Sequence, residues 1–476
     1  MKANEILIGN PLSGNGWKKF FALTLVWAAT ALVASAQTVT TLYSFKLSDG
    51  ANPEFVTPAQ SRDGDIYGTT FIGGSSTACG PGCGTVFKIT PQGALTSVSF
   101  GVDGTEGAGP EAGLVLGPNG LLYGTTFSGG ASGNGEVFSL NPKTRAITVL
   151  HAFAGSDGTS PQAPLTLGPG GKFYGTTFAG GANNLGTVFS ITPSGSFTSL
   201  HNFSGVDGQN PLGGGLTLGS DGALYGVTYG GAIFRMTGSG AFTKISDYAT
   251  SYGTLVLAAD GNLYGTTSVG GDLGLGSVFK LSPAGVITLL HSFDGTDGAN
   301  PFAGLVQATD GKLYGTTFFG GAQGYGAIFS ITTGGTFATL YSFPGFDYVH
   351  GENPYGLMQH TNGKFYGVTI DGGTSHNCDF SDSPGCGTVF SLDVGLGPFV
   401  KFDVPYGKVG SVAQILGTGL TGATAVSFNG VPASSFKVIS DTFMTATVPE
   451  GATTGPVTVA TPSGTLTSNV KFKELP

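Results

Sequence analysis

The sequence predicts an all-β protein: a seven-bladed β-propeller closed by an N-terminal strand, with a separate β-sandwich behind it. Three observations lead there. A unit built around Tyr-Gly-[Thr/Val]-Thr recurs seven times, at Tyr67, Tyr123, Tyr174, Tyr225, Tyr264, Tyr314 and Tyr366. Each unit carries short runs rich in Val, Leu, Phe, Tyr and Thr, bounded by Gly, Pro, Asn or Asp, which is the punctuation of strands. The closing motif of the unit also occurs once ahead of the first copy, as TVTTLYSF at residues 38–45, and is missing after the seventh.

Composition alone is ambiguous. Gly numbers 85 and Pro 25 in 476 residues, close to the level at which an aperiodic chain would be disordered, so the periodicity decides. The formal charge is -9 and Lys and Arg form no run beyond the N-terminus, which excludes nucleic acid as an expected partner. At the N-terminus, Lys18 and Lys19 precede an apolar run from Phe20 to Val33, short for a membrane span, and Ala34-Ser35-Ala36 fits a cleavage pattern before Gln37. Residues 1–36 are therefore predicted to be a signal peptide. The mature chain is expected to be secreted or at the cell surface, with no membrane span and as a monomer. Export makes the four cysteines structural. Cys79 and Cys83 share one loop and Cys378 and Cys386 another; pairing within each loop is favoured, although four cysteines allow three connectivities. Their spacings do not suit zinc, and no metal or cofactor is expected.

The unit is complete in residues 113–153: GLVLGPNG, LLYGTTFSGG, a Gly-rich loop, GEVFSLNP and ITVLHAF. Successive Tyr-Gly copies lie 56, 51, 51, 39, 50 and 52 residues apart. Before each copy stands Asp-Gly, Asn-Gly or Gly-Gly, as at Asp63-Gly64 and Asn119-Gly120, pairs that take the positive φ angles of tight hairpin turns. A second turn, such as Pro193-Ser194-Gly195, links the third run to the fourth. Each unit is thus a four-stranded meander. One such sheet cannot bury both faces, so the copies must stack, and four strands at this period suggest propeller blades over residues 37–396. The fourth-run motif ends at Phe45, Phe100, Phe153, Phe203, Tyr248, Phe293 and Phe343, one unit ahead of the Tyr-Gly count. Ring closure accounts for the offset: residues 38–45 supply the outer strand of blade seven and remove an open edge.

The DG-x-LYGTT-x-x-GG, G[TE]VF and LHxF elements, over residues 38–393, resemble the GloVer tandem repeat of exported bacterial proteins. That resemblance implies export and a repeat architecture; it carries no catalytic or binding residues. After Leu396 the repeat stops, and the remaining short alternating strands, residues 397–476, fit a compact sandwich. Gly417 to Gly430 (GTGLTGATAVSFNG) and Val448 to Val459 (VPEGATTGPVTV) resemble the immunoglobulin-like IPT/TIG fold, which implies an immunoglobulin-like β-sandwich. With little positive charge, a spacer, packing or adhesive role suits it better than DNA binding.

In a ring of such blades, the loops between second and third strands and the blade-to-blade linkers share a face, the usual home of binding. The first set includes residues 71–84, 127–135, 178–186, 268–276, 318–326 and 371–387; the second includes Asp49 to Pro53, Asp207 to Pro211 and Asp297 to Pro301. The Asp-Gly linkers read as turn structure. Blade four shortens its loop to Gly230-Gly231-Ala232, whereas blades one and seven carry the longest loops, so the face should be uneven. His151, His201 and His291 share one repeated position, which points to packing. His350, Glu352, Asp371, His376, Asp379 and Asp382 gather acid, base and metal-ligand types in blade seven, with His350, Asp371 and His376 the catalytic candidates. No nucleophile elbow, phosphate loop or zinc-protease motif occurs. The expected function is therefore an exported, non-enzymatic binding, adhesion or scaffold protein whose loop face takes carbohydrate or protein. The alternative is a polysaccharide lyase or hydrolase using the blade-seven carboxylates and histidines.

Overall fold

The computed structural model describes residues 37–101, 106–248, 250–345, 349–375, 378 and 385–475; the predicted signal peptide lies outside them. Among these residues the protein is all-β, with one 3-10 turn at Pro169–Gly171. The repeats form seven four-stranded antiparallel sheets, here numbered 1 to 7 by their Tyr-Gly strands. Sheets 1 to 6 each take four strands in chain order, as in sheet 5: Val256–Leu257, Leu263–Thr267, Ser277–Leu281 and Ile287–Ser292; in sheet 2 the short strand Ser128–Gly129 intervenes and pairs with Gly107–Ala108. Sheet 7 takes three, Glu352–Gln359, Phe365–Asp371 and Thr388–Asp393, and its fourth is Thr38–Ser44, antiparallel to Thr388–Asp393.

The first hairpin turn differs from the two-residue form the Asp-Gly pairs suggest. Only the glycine is left-handed, with φ of 81° at Gly64, 83° at Gly261 and 80° at Gly311. The aspartate works through its side chain instead. Asp260 Oδ1 accepts the Asn262 N–H at 3.0 Å, and its Oδ2 accepts the Tyr264 hydroxyl at 2.6 Å. Asp63, Asp221 and Asp310 do the same for Tyr67, Tyr225 and Tyr314. Asn119 and Asn362 reverse the second bond, each donating its amide N–H to the tyrosine oxygen. The tyrosine of the Tyr-Gly motif thus anchors the turn that precedes it.

The glycine of that motif has a different cause. Each lies opposite the phenylalanine of the third strand, as in Gly315↔Phe329, and the ring crosses the bare backbone. A Cβ at Gly315 would sit 2.6 Å from Phe329 Cζ and 2.7 Å from Leu305 Cδ2, closer than atoms pack. Gly315→Ala is therefore expected to destabilise the protein by about 2–3 kcal/mol through overpacking. Gly334→Ala, whose nearest neighbour would be Thr332 Oγ1 at 3.8 Å, should change stability by less than about 0.5 kcal/mol. Urea unfolding of the two variants side by side checks this.

Each sheet packs on the next through its own apolar cluster. Sheets 1 and 2 share Phe100, Leu122 and Phe138, and sheets 5 and 6 share Phe293, Leu313 and Phe329. Sheets 7 and 1 share the cluster of Phe45, Ile66, Phe87, Tyr366 and Val389. Polar links reinforce the series: Thr266 Oγ1 donates to Ala303 O at 2.9 Å, and Thr316 Oγ1 to Tyr355 O at 2.7 Å. The repeated histidines also join neighbours. His291 stacks on Phe337 of the following sheet, centroids 3.8 Å apart, and its Nε2 lies 2.8 Å from Asp297 in the linker between them.

Two further four-stranded sheets follow, Lys401–Phe402 with Val412–Leu416, Phe443–Thr447 and Ser435–Ser440, and Val431–Pro432 with Ala425–Phe428, Val457–Thr461 and Gly464–Thr467. They enclose one core of Ile415, Val426, Phe428, Met444, Val457 and Phe472. This C-terminal module seats on the first hairpin turns of sheets 1, 3 and 7. Arg62 reaches Asp403 Oδ2 at 2.6 Å, Gln414 and the Pro118 carbonyl. Thr442 Oγ1 donates to Arg62 O at 2.8 Å, Thr361 meets Thr418 at 2.8 Å, and the Tyr406 hydroxyl donates to Gly168 O at 3.3 Å.

His360 sits at the same junction, 2 % exposed, with Nε2 2.8 Å from Gly64 O and Nδ1 accepting the Asn362 N–H. Those partners hold the neutral ring, and burial pushes its pKa down to about 4. A depressed pKa favours folding above the unfolded value and is lost as pH falls toward the folded one. The stability advantage of wild type over His360→Gln should accordingly shrink by about 2.5 kcal/mol between pH 7 and pH 4.5, read by denaturant unfolding at each pH.

Candidate binding site

The linkers between sheets lie with the loops between second and third strands. Bridges pair Ala51 with Ile72, Thr159 with Ala179 and Ala299 with Phe319. Each linker asparagine is left-handed, φ 51° at Asn52, Asn210 and Asn300, because its N–H and its carbonyl are used on opposite sides. The Asn300 N–H donates to Leu275 O of the preceding sheet at 2.7 Å, and its carbonyl accepts the Phe318 N–H of the following one at 3.2 Å. Asn52 is bound in the same way between Cys386 O of sheet 7 and the Phe71 N–H of sheet 1.

The disulfides are Cys79–Cys83 and Cys378–Cys386, each within one loop. Asp371 and Glu352 face each other across the first two strands of sheet 7, at 8 % and 4 % exposure, and His350 lies two residues before Glu352. The third catalytic candidate, His376, and Asp379 and Asp382 lie outside the described residues. Among the described residues, no three His, Cys, Asp or Glu side chains are grouped so as to hold a metal ion. A concavity between sheets 1 and 2 is lined by Tyr67, Lys88, Leu140 and Arg145. Its cations are engaged: Lys88 with Asp63 and Asp65, and Arg145 with the Ser97 carbonyl.

A different cluster forms where the linkers enter the first strands. The residue after the linker proline, or its equivalent, is Glu54, Glu111, Gln162, Leu212, Tyr252, Phe302 and Tyr355 in sheets 1 to 7. These positions converge. Phe55 stacks on Tyr252 with centroids 6.5 Å apart, meets Tyr355 edge-on at 5.4 Å, and lies against Gly213. Tyr252 meets Phe302 at 4.9 Å and Tyr229 at 5.8 Å, and the Tyr355 hydroxyl donates to Phe302 O at 3.2 Å. The Gln162 amide donates to Glu111 Oε2 at 2.8 Å, while Gln162 Oε1 is buried without a partner among the described residues.

Electrostatics at this point are unusual. Glu111 is 5 % exposed, and burial, with the Glu54 charge nearby, pushes its pKa up to about 8. Burial also raises Glu54. Tyr355 is pushed far above the usual phenol value by burial and by Glu54, Tyr252 and Glu111. Around the cluster stands a second set, the residues that follow the Tyr-Gly-Thr-Thr strand: Phe71, Phe127 and Phe178 are half-buried, and Tyr229 is 45 % exposed. Phe55 itself has φ 54°, a conformation bulky residues rarely take. Sequence reasoning missed this cluster because the seven positions differ in type. Aligning the units on the linker Asn-Pro would have exposed them as one register.

The chain is thus a tandem-repeat, all-β protein. The Gloeobacter/Verrucomicrobia repeat matches residues 59–255 and again residues 230–431, together more than half of the sequence, and the protein belongs to that family. No curated protein matches the sequence. Its fold is similar to that of a fungal alcohol oxidase of the AA5 family in complex with copper, at 13 % identity and TM-score 0.52, covering 92 % of this chain and 98 % of that one. It is also similar to the extracellular domain of a hybrid two-component system from B. thetaiotaomicron, at 11 % identity and TM-score 0.50, covering 92 % of this chain and 58 % of that one. At such identities the likeness is one of fold. No helix among the described residues is long and apolar enough to cross a membrane.

Proposed function

We propose that the seven sheets are the blades of a closed seven-bladed β-propeller, that residues 397–476 form an immunoglobulin-like module of IPT/TIG type, and that the mature chain is an exported, non-enzymatic protein binding carbohydrate on its loop face. The pairing of Thr38–Ser44 with Thr388–Asp393 and the cluster shared by sheets 7 and 1 support closure. Two disulfides suit an oxidising compartment. The C-terminal module occupies the hairpin-turn side and leaves the linker side open, the placement of a spacer.

One observation carries the binding reading: aromatic rings surround convergent carboxyl and amide groups on the linker side, with Tyr229 45 % exposed among them. Flat apolar faces beside a few hydrogen-bonding groups are how a site holds a sugar ring. Glycan and extracellular-protein arrays probed with residues 37–476 test it. The expected result is retention on glycans, weakened about tenfold by Tyr229→Ala, which removes an exposed hot-spot ring. Retention on neither array would overturn the reading, and turnover of a retained glycan would replace it with the enzymatic alternative.

A further inference from the structure

The hydrogen-bonding capacity of the convergent cluster points to a ligand class, an inference that rests on the carbohydrate reading above. We propose that Glu54, Glu111 and Gln162 form a subsite for the primary ammonium group of a hexosamine residue, with Phe55, Tyr229 and Tyr252 beside the sugar.

Two donors in the cluster are already engaged. The Tyr355 hydroxyl is on Phe302 O, and one N–H of the Gln162 amide is on Glu111 Oε2. Three acceptors are left: the Glu54 carboxylate, with no hydrogen-bond partner among the described residues, the second oxygen of Glu111, whose side chain is 5 % exposed, and the buried Gln162 Oε1. A buried acceptor is normally satisfied, so Gln162 Oε1 asks for a ligand that brings a donor, with the two carboxyls beside it. The set also asks for positive charge. The Glu54 carboxylate stands close enough to raise Glu111, and no Lys or Arg pairs with either among the described residues. Buried carboxylates without a cation are costly, and without ligand Glu111 answers by keeping a proton at neutral pH.

An ammonium group fits in number as well as sign. It offers three N–H donors to three acceptor groups, and one N–H takes the place of the Glu111 proton. A calcium ion would want six to eight oxygens, more than this set supplies. The neighbouring rings add cation–π attraction and a platform for the pyranose, favouring an amino sugar over a bare amine.

Isothermal titration with β-1,4-linked glucosamine oligomers, their N-acetylated counterparts, lysine amide and calcium chloride tests the assignment, with melting curves confirming that every variant folds. The glucosamine oligomer should bind at least tenfold more tightly than the N-acetylated one, and Glu54→Gln or Gln162→Leu should each cost tenfold or more for the glucosamine oligomer alone. Equal binding of the N-acetylated oligomer, equal binding of lysine amide, a calcium response abolished by Glu54→Gln, or unaltered affinity in both variants would each overturn it. If another glycan is retained on the array and neither variant affects it, the subsite falls while the carbohydrate reading stands. If no glycan is retained at all, both fall.

Discussion

A chain lacking residues 37–45 is expected to lose its cooperative melting transition and to elute as aggregate. Thr38–Ser44 pairs along the whole of Thr388–Asp393, and the Phe45 N–H donates to Gly387 O at 3.0 Å. Phe45 itself is 0 % exposed and meets Phe87 edge-on at 5.2 Å, closing the cluster between sheets 7 and 1. Loss of that ring alone should cost about 3–5 kcal/mol. Each lost backbone hydrogen bond adds about 1 kcal/mol. The sum approaches the whole stability of an ordinary domain, about 5–15 kcal/mol. The uncovered Thr388–Asp393 would also present an unpaired edge to other chains. Size-exclusion chromatography and thermal circular dichroism of the truncated chain check the result, and a synthetic peptide of residues 37–46 added in excess should restore part of the transition. An unchanged melting temperature would mean that the strand is peripheral.

Arg62→Ala is expected to destabilise the protein by about 3 kcal/mol at pH 7, because it removes the hydrogen-bonded cation from a carboxylate with no access to solvent, leaving Lys401 as its remaining positive neighbour. The Asp403 side chain is 0 % exposed, Arg62 contacts its Oδ2, and its Oδ1 has no hydrogen-bond partner among the described residues. Burial pushes the Asp403 pKa up to about 6, against the pull of Arg62. A raised carboxyl pKa means that the folded state takes up a proton before the unfolded one does. This group therefore favours folding increasingly as pH falls from 6 toward the usual carboxylate range, the opposite of His360. The penalty of Arg62→Ala should shrink below pH 5, where a neutral Asp403 needs no cation. A urea series at pH 7 and pH 5 measures both numbers; a penalty independent of pH would place the effect in the packing of Arg62 on Phe443, 4.7 Å from its ring.

The repeated features were legible because repetition averages out noise. Seven Tyr-Gly copies mark the second strands, and the early TVTTLYSF motif marks the strand that pairs with the far end of the repeats. The histidines were legible as packing residues for the same reason, although their stacking on the next sheet's phenylalanine was not, since the partners lie about one repeat apart. What stayed hidden are departures from the pattern. Arg62 occupies the turn position held by Pro118, Ser220, Ala259, Thr309 and Thr361, and His360 that of Ser61, Gly117, Ala258 and Ala308. Both are singular, and both meet the C-terminal module or its junction. Glu54, Glu111 and Gln162 share one linker position that sheets 4 to 7 fill with Leu212, Tyr252, Phe302 and Tyr355, and only three-dimensional convergence makes them neighbours. The blade-seven candidates were chosen by residue type along the chain; Asp371 and Glu352 do lie side by side, but proximity in sequence could not reveal a cluster assembled from seven sheets.

The partnership of Thr38–Ser44 with Thr388–Asp393 sets an order of events. Thr38–Ser44 has no companion until every intervening repeat has emerged, and drawing such distant segments together carries the entropy of a very long loop. Maturation should consequently finish late and all at once, with a sticky leading segment waiting in the interim. A factor that holds and shields that segment would be of most use to this chain during the wait.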